Sequence, residues 1–324
     1  MKKKLLSFSF ILLLIFISPL LLSCSSNTEN LISRFYSYDN FEEYLLGANN
    51  IDSKSIKHID VDWISGNIKV ESSIGSSINF YEIVDADVED IYKLHYRIIN
   101  NTLYIKFVAS QESFKYSFKT KDLYIQIPEQ MILESLTINS VEANVYMNNV
   151  NINTVNHQSI DGNFECSKSS LRDISLKTTG IVYFVDLTND SLKINGTNPK
   201  VTLDVINSNS VFIRDNSGDI RITRSNINSL SITSLSSPID VELFTKVSST
   251  FIETFDSEIT IKFPINTPLT LEYDSIDGIL LPAFAFIQEN GVYNSNTSNV
   301  PAEEISNVII KSLSGKLRLD YLPE

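Results

Sequence analysis

The sequence predicts an all-β solenoid, a β-helix-like rod with a repeat of about 19 residues. Three observations carry that prediction. Apolar residues recur in pairs two positions apart, the pairs return at a nearly constant interval, and the same frame fits both ends of the chain body. With Val211 as position zero, Val211, Ile213, Ile220 and Ile222 fall at zero, plus two, plus nine and plus eleven, and Asn216-Ser217-Gly218 lies between the pairs. Further copies start at Leu136, Val155, Ile174, Leu192, Leu230 and Thr250, and Leu269 begins another. Outlying copies are Ile59, Val61, Ile68 and Val70, and Val308, Ile310, Leu317 and Leu319. Pairs two apart are the period of a strand with one buried face. A coil of two short strands cannot bury its inward residues alone, whereas the next coil about 4.8 Å away covers them. Roughly ten coils at that spacing make a rod about 50 Å long. The competing architecture is a sandwich of regular hairpins, which seldom keeps so constant a period. The Ser-Gly, Asp-Gly and Asn/Asp-rich turns are expected to supply the positive φ of tight corners.

The elements follow in order. Residues 1–23 read as a signal peptide, with Lys2, Lys3 and Lys4 before an apolar run from Leu5 to Leu22. Leu21-Leu22-Ser23-Cys24 resembles the bacterial lipobox, in which Cys24 is diacylated and becomes the first residue of the exported chain. An uncleaved anchor helix is the alternative, since 18 apolar residues just span a bilayer. Both tether the chain outside the cytoplasmic membrane. Residues 24–57 follow as a linker, with a short amphipathic helix expected between Asn30 and Leu46 from Leu31, Phe35, Phe41 and Leu45. The solenoid occupies 58–324. Within it, 71–130 hold longer irregular strands ended by Pro128, 136–271 the regular repeats, 279–306 an insertion and 308–319 a closing coil. The apolar Leu280–Phe286 stretch of the insertion is expected either to plug the end of the core or to meet a partner.

Together these features resemble the bacterial toastrack-type β-strand-repeat domain, a family that carries an adhesin label. The resemblance rests on Ser65-Gly66-Asn67-Ile68-Lys69-Val70, on Leu123-Tyr124-Ile125-Gln126-Ile127-Pro128, on the ladder from Leu136 to Ile261, and on Ser314-Gly315-Lys316-Leu317-Arg318-Leu319. It covers about 59–319 and implies a right-handed, single-stranded solenoid with no known catalytic activity.

Composition narrows the function. A formal net charge of −13 opposes generic nucleic-acid binding, which needs clustered cations against phosphate. Removing residues 1–23 takes away three Lys and no acid, so the exported part is more acidic still, and acyl chains rather than a basic surface must hold it to a membrane. Two Cys exclude a disulfide framework. No hydrolase, zinc-protease or phosphate-loop motif is present. His157 and Cys166 occupy inward frame positions and read as core residues, and no metal or cofactor is expected. Asp215, Asp219, Asp240, Glu242, Glu253 and Glu258 are expected to face outward as a solvated sheet surface. Lys106, Phe107, Lys115, Tyr116, Lys119 and Lys121 form a local basic-aromatic cluster that reads first as an exposed hairpin with its aromatic face on the rod and its lysines in water, and otherwise as a contact for a protein or glycan. The reading is a non-catalytic envelope lipoprotein, periplasmic or surface-exposed. The alternative is a carbohydrate-active β-helix lyase or hydrolase using paired carboxylates.

Overall fold

The computed structural model describes residues 37–322 apart from 48, 85–87, 111–119, 246, 290 and 299. The signal peptide and Cys24 lie outside the described residues. The body is an all-β solenoid. Strands Phe164–Lys177, Val182–Asn195, Val201–Arg214 and Ile220–Thr233 stack in parallel, so that Leu192 pairs with Val211 and Val211 with Leu230. Each register step is therefore one sequence repeat. The zero, plus-two, plus-nine and plus-eleven residues point into one continuous core.

The path of each coil differs from a simple pair of strands and a turn. The segment leading from plus eleven to the next zero is itself extended and buries two further columns: Ile152 pairs with Leu171, and Ser208 with Ile227, in one, and Leu187 pairs with Ile206 in the other. Each strand bends into this segment at a left-handed residue: Asn149, Lys168, Asp186, Val205 and Arg224 have φ of 54°, 50°, 55°, 56° and 50°. None is glycine. The repeat's own turn glycines serve a different need. Gly162, Gly180 and Gly218 have no left-handed φ, but a Cβ on Gly218 would lie 1.8 Å from the Pro199 carbonyl oxygen of the coil below. Only Gly66 and Gly315 combine positive φ with such an approach. The glycines thus let coils stack closely, and the tight bends fall to other residue types.

A buried hydroxyl column lines one corner. Ser159 donates to Thr178 at 2.8 Å, and Thr178 to the Gly162 carbonyl at 2.7 Å. Asp215, expected outward, sits in this corner and is buried. Its carboxylate accepts from the amides of Asn216 and Gly218 and from the Ser237 hydroxyl. Burial raises its pKa, and these hydrogen bonds oppose the rise.

The ends depart most from chain order. Strand His58–Ser73 pairs along its length with Leu133–Asn148, and on its other side with Thr102–Lys106 and Asp122–Pro128. At the far end, Ser306–Tyr321 runs between Ser249–Phe263 and the strands Leu269–Ser275 and Ile279–Pro282. The first and last repeats are thus each inserted one layer in from an end. Antiparallel strands close both: Ser77–Ile83 and His95–Ile99 at one, Val292–Ser295 and Ile287–Glu289 at the other. Leu280, Phe284, Phe286 and Tyr293 pack against the core, with Phe284 stacked on Tyr321 at 4.5 Å, so this stretch plugs the rod. The described part of the expected N-terminal helix is instead a 3-10 turn, Phe41–Glu43, and a short strand, Leu45–Leu46, paired with His95 and Tyr96. Pairing to an open strand edge overrides the helical spacing there.

Candidate functional site

The basic-aromatic cluster does not form a surface patch in its described members, because Lys106, Phe107 and Lys121 are buried. Strand alternation alone would turn Lys106 outward. The N-terminal segment covers it, with Tyr38 bonded to the Val108 carbonyl and to Ser110. Lys106 pairs with Asp62 and lies 5.7 Å from the Tyr38 ring. Lys121 crosses the core beside Trp63 and Phe107, with its ammonium 5.2 and 4.3 Å from the two rings. It pairs with Glu82 at 2.6 Å and donates to the Tyr92 and Phe107 carbonyls. Glu82 also accepts from the Leu94 amide at 2.8 Å. Burial lowers the Lys121 pKa to about 8 against the pull of Glu82. The cluster is a buried lock holding the N-terminal cap to the first coil. Lys115, Tyr116 and Lys119 lie outside the described residues, as does Cys24.

His157 and Cys166 are core residues. Burial pushes the His157 imidazole down to about 4, with a backbone contact at Ile138 opposing it. Neither ring nitrogen reaches a partner at good hydrogen-bond geometry. Burial pushes the Cys166 thiol up to about 12, and the ring of Phe164 packs on His157 at 5.3 Å. A neutral imidazole and a protonated thiol at neutral pH make no nucleophile.

What the rod offers to solvent is its side faces. On the plus-nine face, outward side chains at the N-terminal end form a ring ladder. Tyr81 and Tyr124 stack at 5.0 Å with planes 2° apart, and Lys69 lies 4.6 Å over Tyr124 and donates to its hydroxyl. The stacked ring faces are turned toward one another. The opposite face is different. Its plus-one column places Lys193, Phe212, Ser231, Phe251 and Ile309 in register on successive strands. Its plus-three column places Lys177, Asn195, Arg214 and Thr233 beside them. Lys177, Lys193 and Arg214 are exposed, and Phe212 and Phe251 half-exposed. The ammonium of Lys193 lies 5.8 Å from the Phe212 ring. This patch draws residues from several repeats, so no local motif marks it. Comparing plus-one and plus-three positions across the copies is the signal that finds it.

Residues 56–320 match the family model described as Toastrack DUF4097. The chain belongs to this toastrack family. Among solved structures, a Parabacteroides distasonis protein named as a candidate lipid-binding protein matches with a TM-score of 0.52 at 14% identity, over 85% of this chain and 96% of its own. A candidate adhesin from Bacteroides fragilis matches at 14% identity and a TM-score of 0.44, over 85% and 97% of the two chains. A candidate cell adhesion protein from Clostridium sporogenes matches at 10% identity and a TM-score of 0.24, over 86% and 100%. At these identities the likeness concerns the toastrack fold alone. No functionally curated protein matches the chain.

Proposed function

We propose that this toastrack protein is a non-catalytic binding module of the bacterial cell envelope, held to a membrane by acyl chains on Cys24, with its rod presented to a protein or glycan. One observation carries the reading: outward side chains stand in register on a stack of parallel strands closed at both ends, which makes long, regular, water-facing columns. Such columns recognise an extended partner by repetition and need no cleft. The basic start, apolar run and Leu21-Leu22-Ser23-Cys24 sequence support export and anchoring. The adhesion names of the Bacteroides and Clostridium proteins agree with the role without carrying it.

Two measurements test it. Fractionation of cells bearing Cys24→Ala is expected to move the protein out of the detergent-soluble membrane pool; an unchanged pool overturns the acyl anchor. Mild proteolysis of intact and lysed cells then reports the side. Digestion in intact cells favours an adhesin-like role outside, and protection until lysis favours an envelope scaffold in the periplasm.

A further inference from the structure

We propose that the patch formed by Lys177, Lys193, Phe212, Arg214, Ser231 and Phe251 binds an acidic polysaccharide strand laid along the rod. This names the partner class of the binding module above and rests on that reading.

Charge is the first argument. The chain carries a formal −13, so a polyanion is repelled by most of its surface. Several other cations on the coils are tied to carboxylates: Arg224 to Asp204, Lys262 to Glu242 at 2.7 Å, Lys316 to Glu258 at 3.4 Å. None of the ion pairs among the described residues involves Lys177, Lys193 or Arg214. Three exposed cations on three consecutive coils repel one another, and a bound anion reverses the sign of that cost.

Spacing is the second. Lys177 and Arg214 share a column with Asn195 between them, so they stand roughly 10 Å apart, two strand spacings. Lys193 lies on the middle coil, one column over. The zigzag suits a narrow polymer with repeating negative charge.

The rings are the third. Phe212 and Phe251 are held at water-facing positions with Ser231 between them in register. Unlike Tyr81 and Tyr124, they are not stacked on each other; Lys193 and Lys311 lie 5.8 and 5.7 Å from the Phe212 and Phe251 rings, and an aromatic face beside hydroxyls and ammoniums receives the C–H face of an acidic sugar ring while Ser231 meets its hydroxyls. Asp173 and Glu253 border the patch along the rod, on the first coil and two coils beyond Arg214.

The test uses the full chain in detergent, titrated calorimetrically with polygalacturonate, with dextran, with poly-L-glutamate and with phosphatidylglycerol vesicles. Polygalacturonate is expected to bind in preference to the other three. Lys177→Gln with Lys193→Gln and Arg214→Gln should weaken it at least tenfold and flatten its salt dependence. Phe212→Ser with Phe251→Ser should weaken it at least threefold and leave the salt dependence unchanged. The control, Lys54→Gln with Lys200→Gln and Lys316→Gln, removes the same charge from other exposed sites and should stay within twofold of wild type. Equal binding of dextran or poly-L-glutamate, preference for vesicles, or equal loss in the control overturns the proposal. Fractionation of Cys24→Ala reads the underlying envelope assignment independently, so a failed titration with an intact anchor rejects the patch alone.

Discussion

His157→Leu is expected to leave the protein as stable as wild type, or slightly more so, at pH 7.5, and to make it markedly more stable at pH 4.5. In register, His157 stands between Ile138 and Leu176, both fully buried, and is itself buried. Its folded pKa is about 4 against 6.5 for a free imidazole. The folded state therefore holds the ring neutral. As pH falls through 6.5 the unfolded chain takes up a proton that the native chain refuses, so stability declines until about pH 4, where the native ring also titrates. The full gap costs roughly 3 kcal/mol at about 1.4 kcal/mol per pH unit, and most of it has been incurred by pH 4.5. Leu is close in volume, continues the aliphatic column and has no ring nitrogen to leave unpaired. Urea unfolding of both proteins at pH 7.5 and 4.5 isolates the effect, because every other titrating group is common to the two and cancels. The expected advantage of the variant grows by about 2–3 kcal/mol between those pH values. An advantage independent of pH refutes the buried neutral imidazole. A disadvantage at pH 7.5 of the size of a core-packing error refutes the claim that Leu fits the column.

Three further outcomes follow from the described contacts. Glu82→Gln leaves the Lys121 ammonium buried without its carboxylate and should cost about 3–5 kcal/mol at pH 7. With Glu82 present the folded Lys121 pKa is about 8 against a free value of 10.5, and without that carboxylate, which raises it, the folded value falls further. The cost of burying the charge is relieved in both proteins as pH rises toward 10.5, so the gap between them narrows and melting at pH 7 and 9.5 should show the variant recovering relative to wild type. Gly218→Ala drives a Cβ into the Pro199 carbonyl and should cost more than about 3 kcal/mol, whereas Gly75→Ala, with open space and φ of 139°, should cost only about 1–2 kcal/mol of backbone strain; chemical denaturation compares them. Val205 is β-branched at φ 56°, so Val205→Asn should stabilise by about 1 kcal/mol, read as a higher urea midpoint.

The inward frame was legible in the sequence because burial imposes it at every copy. Val211, Ile213, Ile220 and Ile222 repeat in kind at each coil, and the core follows them. The corners were less legible. A left-handed bend at Lys168, Val205 or Arg224 costs only about 1–2 kcal/mol per residue, which a solenoid core absorbs, so composition does not announce it. Glycine marked close backbone approach instead. Lys106 and Lys121 misled for another reason: their burial depends on Tyr38 and Glu82, residues remote in sequence, and alternation within a strand does not see a segment folded over it. The outward patch at Lys193 and Phe212 escaped because it is assembled across repeats, one residue from each.

The out-of-order ends explain why this rod has a fixed length. A parallel coil left as the last layer would present unpaired N–H and C=O groups in the geometry the next coil needs, an invitation to endless stacking. Here the first and last repeats, His58–Ser73 and Ser306–Tyr321, are each enclosed by another layer. The layers beyond them reverse direction through Ser77–Ile83 and His95–Ile99 at one end and Val292–Ser295 at the other. The outermost strands, Leu45–Leu46 and Asn49–Asp52 at one end and Ile287–Glu289 at the other, reverse it again but are only 2, 4 and 3 residues long, so an incoming strand finds short edges. Ile279–Pro282 keeps its parallel direction but is four residues long and ends in a residue without an N–H. Enclosing the two outlying repeats ties the caps to the stack, since a cap cannot leave without exposing Ile59, Val61, Val308 and Ile310. The side faces are then the surfaces left for recognition, and that is where the unpaired cations and the outward rings stand.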